Sequence, residues 1–384
     1  MTVKMSALDR VLTVLDGKVP DRVPSFCLGG DYEFVERFMK SSYALTKEDM
    51  QQIDSDKVSY NVPFIHSIIA KFSPHEILKG GLDAKIDMCW QFVNRNPPIK
   101  LDDSESDYLY QNGMILKTII RENGIPHLWY AGPSLKTKQD IQSYWEKAKY
   151  LEPTELCVKN FARTRETFRD KYDIIVSQGE NGPFENLVLG IGLANFARYV
   201  RKDPEFLKQH IKFQWETFEE PTLKLLMETK PEIVMCGDDY GFNSGLQISA
   251  KDWRVFIKPI LKEYVDIVHD YGSKFILHSC GDLHEIFPDF VEIEIDGIQS
   301  LQQNCNPLKM YREKYPEISL IGTIDDSEML KYKSPYEIDQ VIKESIRLLG
   351  KKGGFIPGPT NFLLDHPPEN IVALFKAIQK YGKY

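Results

Sequence analysis

The sequence has no apolar run long enough to cross a membrane, no basic tract and no Cys-x-x-Cys pair. The first absence excludes a transmembrane helix, which needs about 20 consecutive apolar residues. Lys and Arg number 48 against 56 Asp and Glu, giving a formal net charge of −8, so nucleic acid is not an expected partner. The six cysteines are widely spaced, which favours reduced thiols over a disulfide framework.

The composition is that of a globular protein with a large core. Hydrophobic residues make up 42% of the 384 residues and aromatic residues 12%. Residues 1–20 contain no apolar segment leading to a small-residue cleavage site, so we expect no signal peptide and a cytoplasmic location. No internal repeat or Pro/Gly linker divides the chain, and residues 1–384 are therefore interpreted as one domain.

Short β-branched or aromatic runs alternate with amphipathic helical stretches along the chain. This alternation is typical of βα units, in which helices join successive parallel strands. Near-continuous apolar runs such as 233–235 and 275–277 indicate strands that are buried on both faces of the sheet. The predicted strands are 23–27, 84–89, 173–177, 232–236, 274–278, 297–301, 318–322 and 354–357.

Four helical segments carry clear start and stop signals. Asp203, Ser249 and Ser334 are the expected N-cap residues of three of them, and Gly272 follows the end of the second. The predicted helices are 204–228, 251–271, 335–349 and 368–381. Residues 28–170 are less regular, with a hairpin predicted around 114–129, and we interpret them as containing insertions in the first half of the chain.

Eight βα units are the number in a (β/α)8 barrel, whose functional residues lie at the carboxyl ends of the strands. The residues that follow the predicted strands are therefore the site candidates, and they are unusually polar. They are Gln178, Glu180, Asn181, Asp238, Asp239, Tyr240, His278, Cys280, Gln299, Gln302, Asp325, Asp326, Thr360 and Asn361.

His278 and Cys280 form the sharpest motif. Alternate residues of a strand point the same way, so a nitrogen and a sulfur ligand would face one site, and such ligands favour Zn²⁺. The alternative is a locally hydrogen-bonded histidine beside an ordinary buried cysteine. Cys305 is a third ligand, through its sulfur, if its loop folds back.

The adjacent carboxylates Asp238 and Asp239 suit metal ligation, acid/base work or the binding of a cationic substrate. The alternative is that one of them caps a helix or loop and only the other faces the cavity. Glu180 lies between Gly179 and Gly182, which permit a tight turn that would expose its carboxylate, although a solvated loop acid fits the same pattern. These three acids are the candidate catalytic residues.

Three stretches of the chain resemble the uroporphyrinogen decarboxylase superfamily, which includes zinc-dependent, corrinoid-linked methyltransferases. They are residues 10–24 (RVLTVLDGKVPDRVP), residues 237–282 from GDDYGF to HSCGD, and residues 353–359 (GGFIPGP) followed by 367–378. The resemblance covers essentially the whole chain. It implies one α/β (β/α)8 TIM barrel with an N-terminal helical extension over residues 1–22.

The resemblance also separates the branches of this superfamily. True decarboxylases share an arginine-containing GRYLPE-type segment after the first strand, whereas residues 26–38 read FCLGGDYEFVERF here. The methyltransferase branch is similar in its His-x-Cys zinc motif, matched by His278 and Cys280. That branch also has a cysteine after the last strand, where this chain has Thr360 and Asn361. Carboxylates such as Glu180, Asp238 or Asp239 must then complete a metal site, or no metal binds.

The resemblance therefore implies a methyltransferase that moves a methyl group between a cobalamin-carrying partner protein and a small substrate. Zn²⁺ is the expected metal, and cobalamin comes from the corrinoid partner because no DxHxxG pattern is present. A homodimer is compatible with the sequence, which does not determine the oligomeric state. The candidate substrate-binding residues are Gln178, Asn181, Tyr240, Gln299 and Asn361. Two alternatives remain, a metal-free decarboxylase and a non-catalytic barrel that binds a corrinoid or tetrapyrrole.

Overall fold

The computed structural model describes residues 4–29, 86–92, 99–100, 107–120, 126–148, 162–163, 165–166, 168–363 and 366–384. Its strands, numbered in chain order, are β1 (Phe26–Cys27), β2 (Met88–Phe92), β3 (Ile99–Lys100), β4 (Asp107–Leu109), β5 (Met114–Ile120), β6 (Pro126–Pro133), β7 (Ile175–Gly179), β8 (Ile233–Gly237), β9 (Gly241–Phe242), β10 (Gly245–Leu246), β11 (Lys274–His278), β12 (Gly297–Gln299), β13 (Ser319–Ile321) and β14 (Phe355–Ile356).

The helices fall mainly between the strands of the second half. They are α1 (Ala7–Leu15), α2 (Lys138–Lys147), α3 (Pro183–Ile191), α4 (Leu193–Lys202), α5 (Pro204–Gln214), α6 (Glu220–Glu228), α7 (Ala250–Phe256), α8 (Lys258–Asp270), α9 (Phe287–Glu292), α10 (Leu308–Lys314), α11 (Met329–Tyr332), α12 (Pro335–Ser345) and α13 (Pro368–Tyr381). Five-residue π-helical segments occupy Phe168–Tyr172, Trp215–Glu219 and Ile346–Gly350.

Eight parallel strands form the central sheet in the order β1-β2-β7-β8-β11-β12-β13-β14. The backbone N–H of Phe26 in β1 donates to the carbonyl of Pro357 after β14 at 3.0 Å, which joins the two ends of the sheet. All eight predicted strands are present, and the predicted TIM barrel is confirmed. We call the carboxyl ends of these strands the upper end of the barrel and their amino ends the lower end.

The strands alternate between two apolar layers, as a period of two residues requires. In β8, Ile233 and Met235 point into the barrel, whereas Val234 and Cys236 pack against the surrounding helices. Helix α1 packs against the same interior cluster through Val11 and Val14. Because Ser319 at the start of β13 donates to the carbonyl of Val14 at 3.0 Å, this helix lies against the lower end.

Three predicted helices of the second half are interrupted, and one break has a clear physical cause. The predicted helix 251–271 divides at Ile257 into α7 and α8, because Pro259 has no N–H to donate into the preceding turn. The expected N-caps are confirmed, since the side chains of Asp203, Ser249 and Ser334 each accept a hydrogen bond from the backbone N–H three residues later. Helix α13 has the bounds predicted from the sequence.

An antiparallel sheet of β3, β4, β5 and β6 lies in the chain between the barrel strands β2 and β7. The predicted hairpin is present, with β5 paired to β6. Residues 30–85 and 149–161 lie outside the described residues, and with them most of the stretch 26–38 and Cys157. The division of 28–170 into insertions therefore stays a prediction.

Two properties of the chain follow from the described residues. None of the helices described is both long and apolar enough to cross a membrane. The five cysteines in the described part of the chain, Cys27, Cys89, Cys236, Cys280 and Cys305, are all free thiols.

Candidate metal centre

Asp239, His278 and Cys280 come together at the upper end of the barrel. Asp239 follows β8, and the other two lie at and after the end of the neighbouring strand β11. His278 Nε2 is 3.8 Å from Cys280 Sγ and 3.7 Å from Asp239 Oδ1. All three ligand atoms lie within 4.8 Å of one another. We call these residues the ligand triad.

The hydrogen bonds of His278 determine which of its ring nitrogens is free. Gln299 Nε2 donates to the carbonyl of Thr360 at 2.9 Å, and a carbonyl can only accept. The other end of that amide, Gln299 Oε1, therefore faces His278 Nδ1, which must carry the proton. His278 Nε2 then presents its lone pair to the triad, as a metal-ligating histidine requires.

Cys280 is held by contacts from three directions. Its backbone N–H donates to Asp239 Oδ1 at 2.7 Å, its Sγ lies 3.2 Å from Ser300 Oγ, and Asn361 Nδ2 is 4.0 Å from the same sulfur. Burial, followed by the nearby Asp239 carboxylate, raises the pKa of the Cys280 thiol. Without a cation this cysteine stays a thiol, and a bound metal would have to supply the charge that stabilises the thiolate.

The donor set fits zinc. Zn–S bonds of about 2.3 Å and Zn–N or Zn–O bonds of about 2.0 to 2.2 Å, at tetrahedral angles, separate a sulfur and a nitrogen ligand by about 3.6 Å and a nitrogen and an oxygen ligand by about 3.4 Å. The observed 3.8 and 3.7 Å are close to these values. One imidazole, one sulfur and one carboxylate leave a fourth position open, as in catalytic rather than structural zinc sites.

Asp238 points away from the triad and into the start of helix α3. Its carboxylate accepts hydrogen bonds from the backbone N–H of Phe184 at 3.2 Å and of Glu185 at 2.6 Å, and from the hydroxyl of Tyr240 at 2.6 Å. The structure thus has the arrangement in which one of the two acids caps a helix and the other faces the cavity. Burial raises the pKa of Asp238 to about 7, although these hydrogen bonds oppose the shift.

The alternation of β7 places Gln178 on the outer face of the sheet. Ile175, three residues earlier, packs inside the barrel, so Gln178 points outward, where it accepts a hydrogen bond from the buried Arg165. Its amide is thus on the opposite side of the sheet from the triad, as is the hydroxyl of Tyr240 that bonds Asp238. Glu180 is buried and its carbonyl accepts from Gly237 N at 2.9 Å, but it is not part of the described triad.

Asn181 and Trp90 lie on the inner side of the barrel near the triad. A Cβ built on Gly237 would meet the Trp90 ring at 3.2 Å and Asn181 Oδ1 at 3.9 Å, so both side chains converge on this glycine. The Trp90 ring stacks on His278 at 5.7 Å between centroids, and Phe362 stacks on Trp90 at 6.4 Å. Trp90 is thus a wall of the site, which sequence reasoning missed by ending the second strand at Cys89.

Glu185 is a second residue that the sequence did not reveal. It lies in the first turn of α3, which Asp238 caps. Burial, then the charges of Asp239 and Asp238, raise its pKa well above the ordinary value for a glutamate. No sequence pattern relates this helix position to the ends of β8 and β11, so only the packed structure brings these acids together.

Two glycines allow the loops of the site to approach each other. A Cβ on Gly281 would lie 2.2 Å from the backbone carbon of Gly241, and Gly281 also has a φ of +84°. Any side chain at Gly281 would therefore push the loop after Cys280 away from the loop after Tyr240.

Two solved structures align with the chain, and only the first is similar enough to show a related fold. A methyltransferase from Methanosarcina mazei aligns over 98% of this chain and 99% of its own, with 18% sequence identity and a TM-score of 0.66. A D-psicose 3-epimerase solved in the presence of D-fructose aligns over 59% of this chain and 81% of its own, with 10% identity and a TM-score of 0.31, which is too low to bear on the fold.

The sequence comparisons identify the family. No curated protein matches the chain. The profile of the uroporphyrinogen decarboxylase (URO-D) family matches residues 116–381, which is well over half of the sequence and includes all three residues of the triad. The eight-stranded barrel and its similarity in fold to the methyltransferase agree with that match. The chain therefore belongs to the uroporphyrinogen decarboxylase family.

Proposed function

We propose that this protein is a zinc-assisted methyltransferase that moves a methyl group between the cobalamin of a corrinoid partner protein and a small substrate. The observation that carries the proposal is the ligand triad, in which Asp239 approaches the His278 and Cys280 pair at the upper end of the barrel. A thiol or an O-, N- or S-methyl compound is the substrate class that this chemistry serves.

In this proposal Asp239 takes the place of the cysteine that the chain lacks after the last strand. Asn361 occupies that region and lies 4.0 Å from Cys280 Sγ, but a neutral amide cannot replace the charge of a thiolate. The carboxylate of Asp239 restores it, since one thiolate and one carboxylate together balance the two charges of Zn²⁺. Its backbone partner, Cys280 N–H, fixes the orientation of that carboxylate.

Zinc held by the triad would serve as a Lewis acid that lowers the pKa of a bound thiol or polarises an ether or amine leaving group. The residues around it do the rest. Gln299 keeps the lone pair of His278 Nε2 directed at the site, and Trp90 shields the His278 ring from water. Asn181 and Asn361 offer amides on the inner side of the barrel to orient the substrate.

The methyltransferase from Methanosarcina mazei aligns over 98% of the chain at a TM-score of 0.66, which shows a shared barrel but does not separate a methyltransferase from a decarboxylase. The charges at the site are what favour a methyltransferase. Among the described residues, Asp239 has no ion pair with lysine or arginine, whereas the binding of a poly-carboxylate porphyrinogen calls for cationic side chains in the cavity. The described part of the upper end therefore suits a metal or a neutral substrate better than a polyanion.

The first test is the metal content of the purified full-length chain by elemental analysis. We expect about one zinc per chain, lost in Asp239→Ala, His278→Ala and Cys280→Ala. Asp238→Asn is the matched control, because it changes the adjacent acid that caps α3 without touching the triad. Wild-type protein that stays free of zinc after reconstitution, or zinc that is lost from Asp238→Asn and kept by Asp239→Ala, would contradict the proposed site.

The second test addresses the reaction. The zinc-loaded protein is mixed with methylcobalamin and a small thiol, and the absorbance of methylcobalamin is followed. We expect demethylation that requires zinc and fails in His278→Ala. If zinc binds but no thiol, ether or amine exchanges a methyl group with the corrinoid, the decarboxylase and the non-catalytic binding barrel become the better explanations.

A further inference from the structure

Gln299, the last residue of β12, and Ser300, which follows it, each contact one member of the ligand triad. Gln299 Oε1 accepts from His278 Nδ1, and Ser300 Oγ lies 3.2 Å from Cys280 Sγ. In a regular strand, consecutive side chains point to opposite faces of the sheet, so these two could not reach the same site.

The backbone of Ser300 resolves this conflict. Its φ is +75°, in the left-handed region that residues other than glycine rarely adopt. The turn in the backbone brings the Ser300 hydroxyl to the side on which Gln299 already lies. Ser300 is also fully buried, so the strained conformation is held by its surroundings rather than by solvent.

The strain is not needed for the turn itself, since a glycine would make it without cost. What serine adds is the hydroxyl, and that hydroxyl is directed at the sulfur of Cys280. Backbone strain that persists beside a functional atom is a recurring property of binding sites. The combination of strain, complete burial and a sulfur contact points to a role for the hydroxyl.

We propose that Ser300 is a positioning residue of the metal centre, held in a left-handed conformation so that its hydroxyl donates a hydrogen bond to the sulfur of Cys280 when that sulfur binds the metal. The inference rests on the proposed function, because it presupposes a metal at the triad. It goes beyond it by assigning the last residue of β12 and the residue that follows it the paired task of orienting the nitrogen ligand and the sulfur ligand.

A hydrogen bond to a metal-bound sulfur has two measurable consequences. It raises metal affinity, since partners of ligands typically contribute 10- to 100-fold. It also withdraws electron density from the sulfur, which moves the sulfur-to-metal charge-transfer band of a Co²⁺-substituted site to higher energy. A residue that only supported the loop would change neither in a site that still forms.

The test uses the full-length, metal-free chain titrated with Co²⁺ and followed by absorbance. We expect Ser300→Ala and Ser300→Gly to bind Co²⁺ about tenfold more weakly than wild type, with the charge-transfer band at lower energy. Ser300→Gly also relieves the backbone strain, so its metal-free form should resist urea at least as well as wild type. A loss of affinity in a variant of undiminished stability separates the hydroxyl from the fold.

Ser319→Ala is the matched control. Ser319 is a buried serine whose hydroxyl donates a hydrogen bond to the carbonyl of Val14 at the lower end of the barrel. Its removal should lower stability and leave both the affinity and the band unchanged. An unmoved band with unchanged affinity in both Ser300 variants would overturn the inference alone. Wild-type protein that binds neither Co²⁺ nor Zn²⁺ would overturn the proposed metal site, and the inference with it.

Discussion

The two ends of the barrel both bury charged side chains, but they neutralise them in opposite ways. At the lower end, Asp87 is fully buried and accepts hydrogen bonds from Arg10 and Arg22, and Asp21 is paired with Arg10. At the upper end, Asp238 and Asp239 lie close to Glu185. Among the described residues, neither aspartate has a lysine or arginine ion-pair partner.

This difference separates a structural network from a functional one. The ion pairs of the lower network join opposite charges, and the N–H of Ser25 donates a further hydrogen bond to Asp87 at 3.0 Å. The upper cluster instead holds neighbouring acids of like charge, so burial and their mutual repulsion raise the pKa of Glu185 and Asp238. Proteins keep such unfavourable clusters where they bind or react. The contrast supports a binding role for the upper end and a role in stabilising the fold for the lower end.

The largest effect is expected at the lower end. Arg10→Ala removes a side chain that is 1% exposed and leaves Asp21 without its arginine and Asp87 with only one. Breaking a buried ion pair by deleting one partner costs about 3–5 kcal/mol. We expect urea denaturation of the metal-free protein to show a loss of this size. Arg10→Lys keeps the charge but loses the forked donor, so its free energy of unfolding should lie between those of wild type and Arg10→Ala.

Arg347→Ala provides the control for this prediction. Arg347 pairs with Glu344 on the surface, where both side chains are more than half exposed, and such pairs contribute about 0–1 kcal/mol. Similar losses for the two alanine variants would mean that the lower network contributes no more than a surface pair. The distinction between the two ends would then not rest on charge pairing.

The sequence predicts the barrel well because its strands and helices follow from local patterns. The alternation of apolar runs with helical stretches identifies all eight strands, and β11 is predicted to the residue. The errors in the helix bounds have causes that hydrophobic periodicity does not show, such as the break at Ile257 before Pro259. An unbroken amphipathic pattern across residues 251–271 conceals it.

The sequence alone identifies His278 and Cys280 as candidate ligands, but it does not identify the residues that complete and position the site. His278 is the last residue of β11 and Cys280 follows two residues later, so the period of the strand, continued to Cys280, places them together. The choice between Asp238 and Asp239 depends on which of them caps α3, a contact with a helix more than 50 residues earlier. Ser300 depends on a positive φ at a residue that is not glycine, which no composition rule predicts.

The second prediction compares the pH dependence of the two ends in the metal-free protein. The pKa of Asp238 rises to about 7 on folding, so between about pH 4 and pH 7 the folded chain holds a proton that the unfolded chain has released. Stability from this group is therefore complete below pH 4 and is lost as the pH rises to 7, by at most about 1.4 kcal/mol per unit. Asp238→Asn has no proton to release at this position, so its stability lacks this dependence on pH.

The stability of wild type minus that of Asp238→Asn should thus increase as the pH falls from 7 to 5, measured by urea denaturation at each pH. Asp21→Asn should behave in the opposite sense. Burial alone would raise the pKa of Asp21, but hydrogen bonds from Arg10 and the N–H of Met5 outweigh it and lower the pKa. The advantage of wild type over Asp21→Asn should therefore shrink as the pH falls below about 4. If both stability differences changed in the same direction as the pH falls, the contrast between the two ends would not hold.

The smallest effect is expected for Asn361→Cys, which supplies the sulfur that the upper end lacks. A thiolate at this position, next to Cys280, would add charge and a soft ligand to the triad, and we expect zinc to bind at least tenfold more tightly, or about 1.4 kcal/mol. Competition with a chelator measures the change, and Asn361→Ser, which removes the amide without adding a thiol, should show no tightening. Equal affinity in the cysteine variant would mean that Asn361 lies outside the coordination sphere. Tighter binding together with slower methyl transfer would show that the carboxylate of Asp239 keeps a coordination position open for the substrate, at the expense of metal affinity.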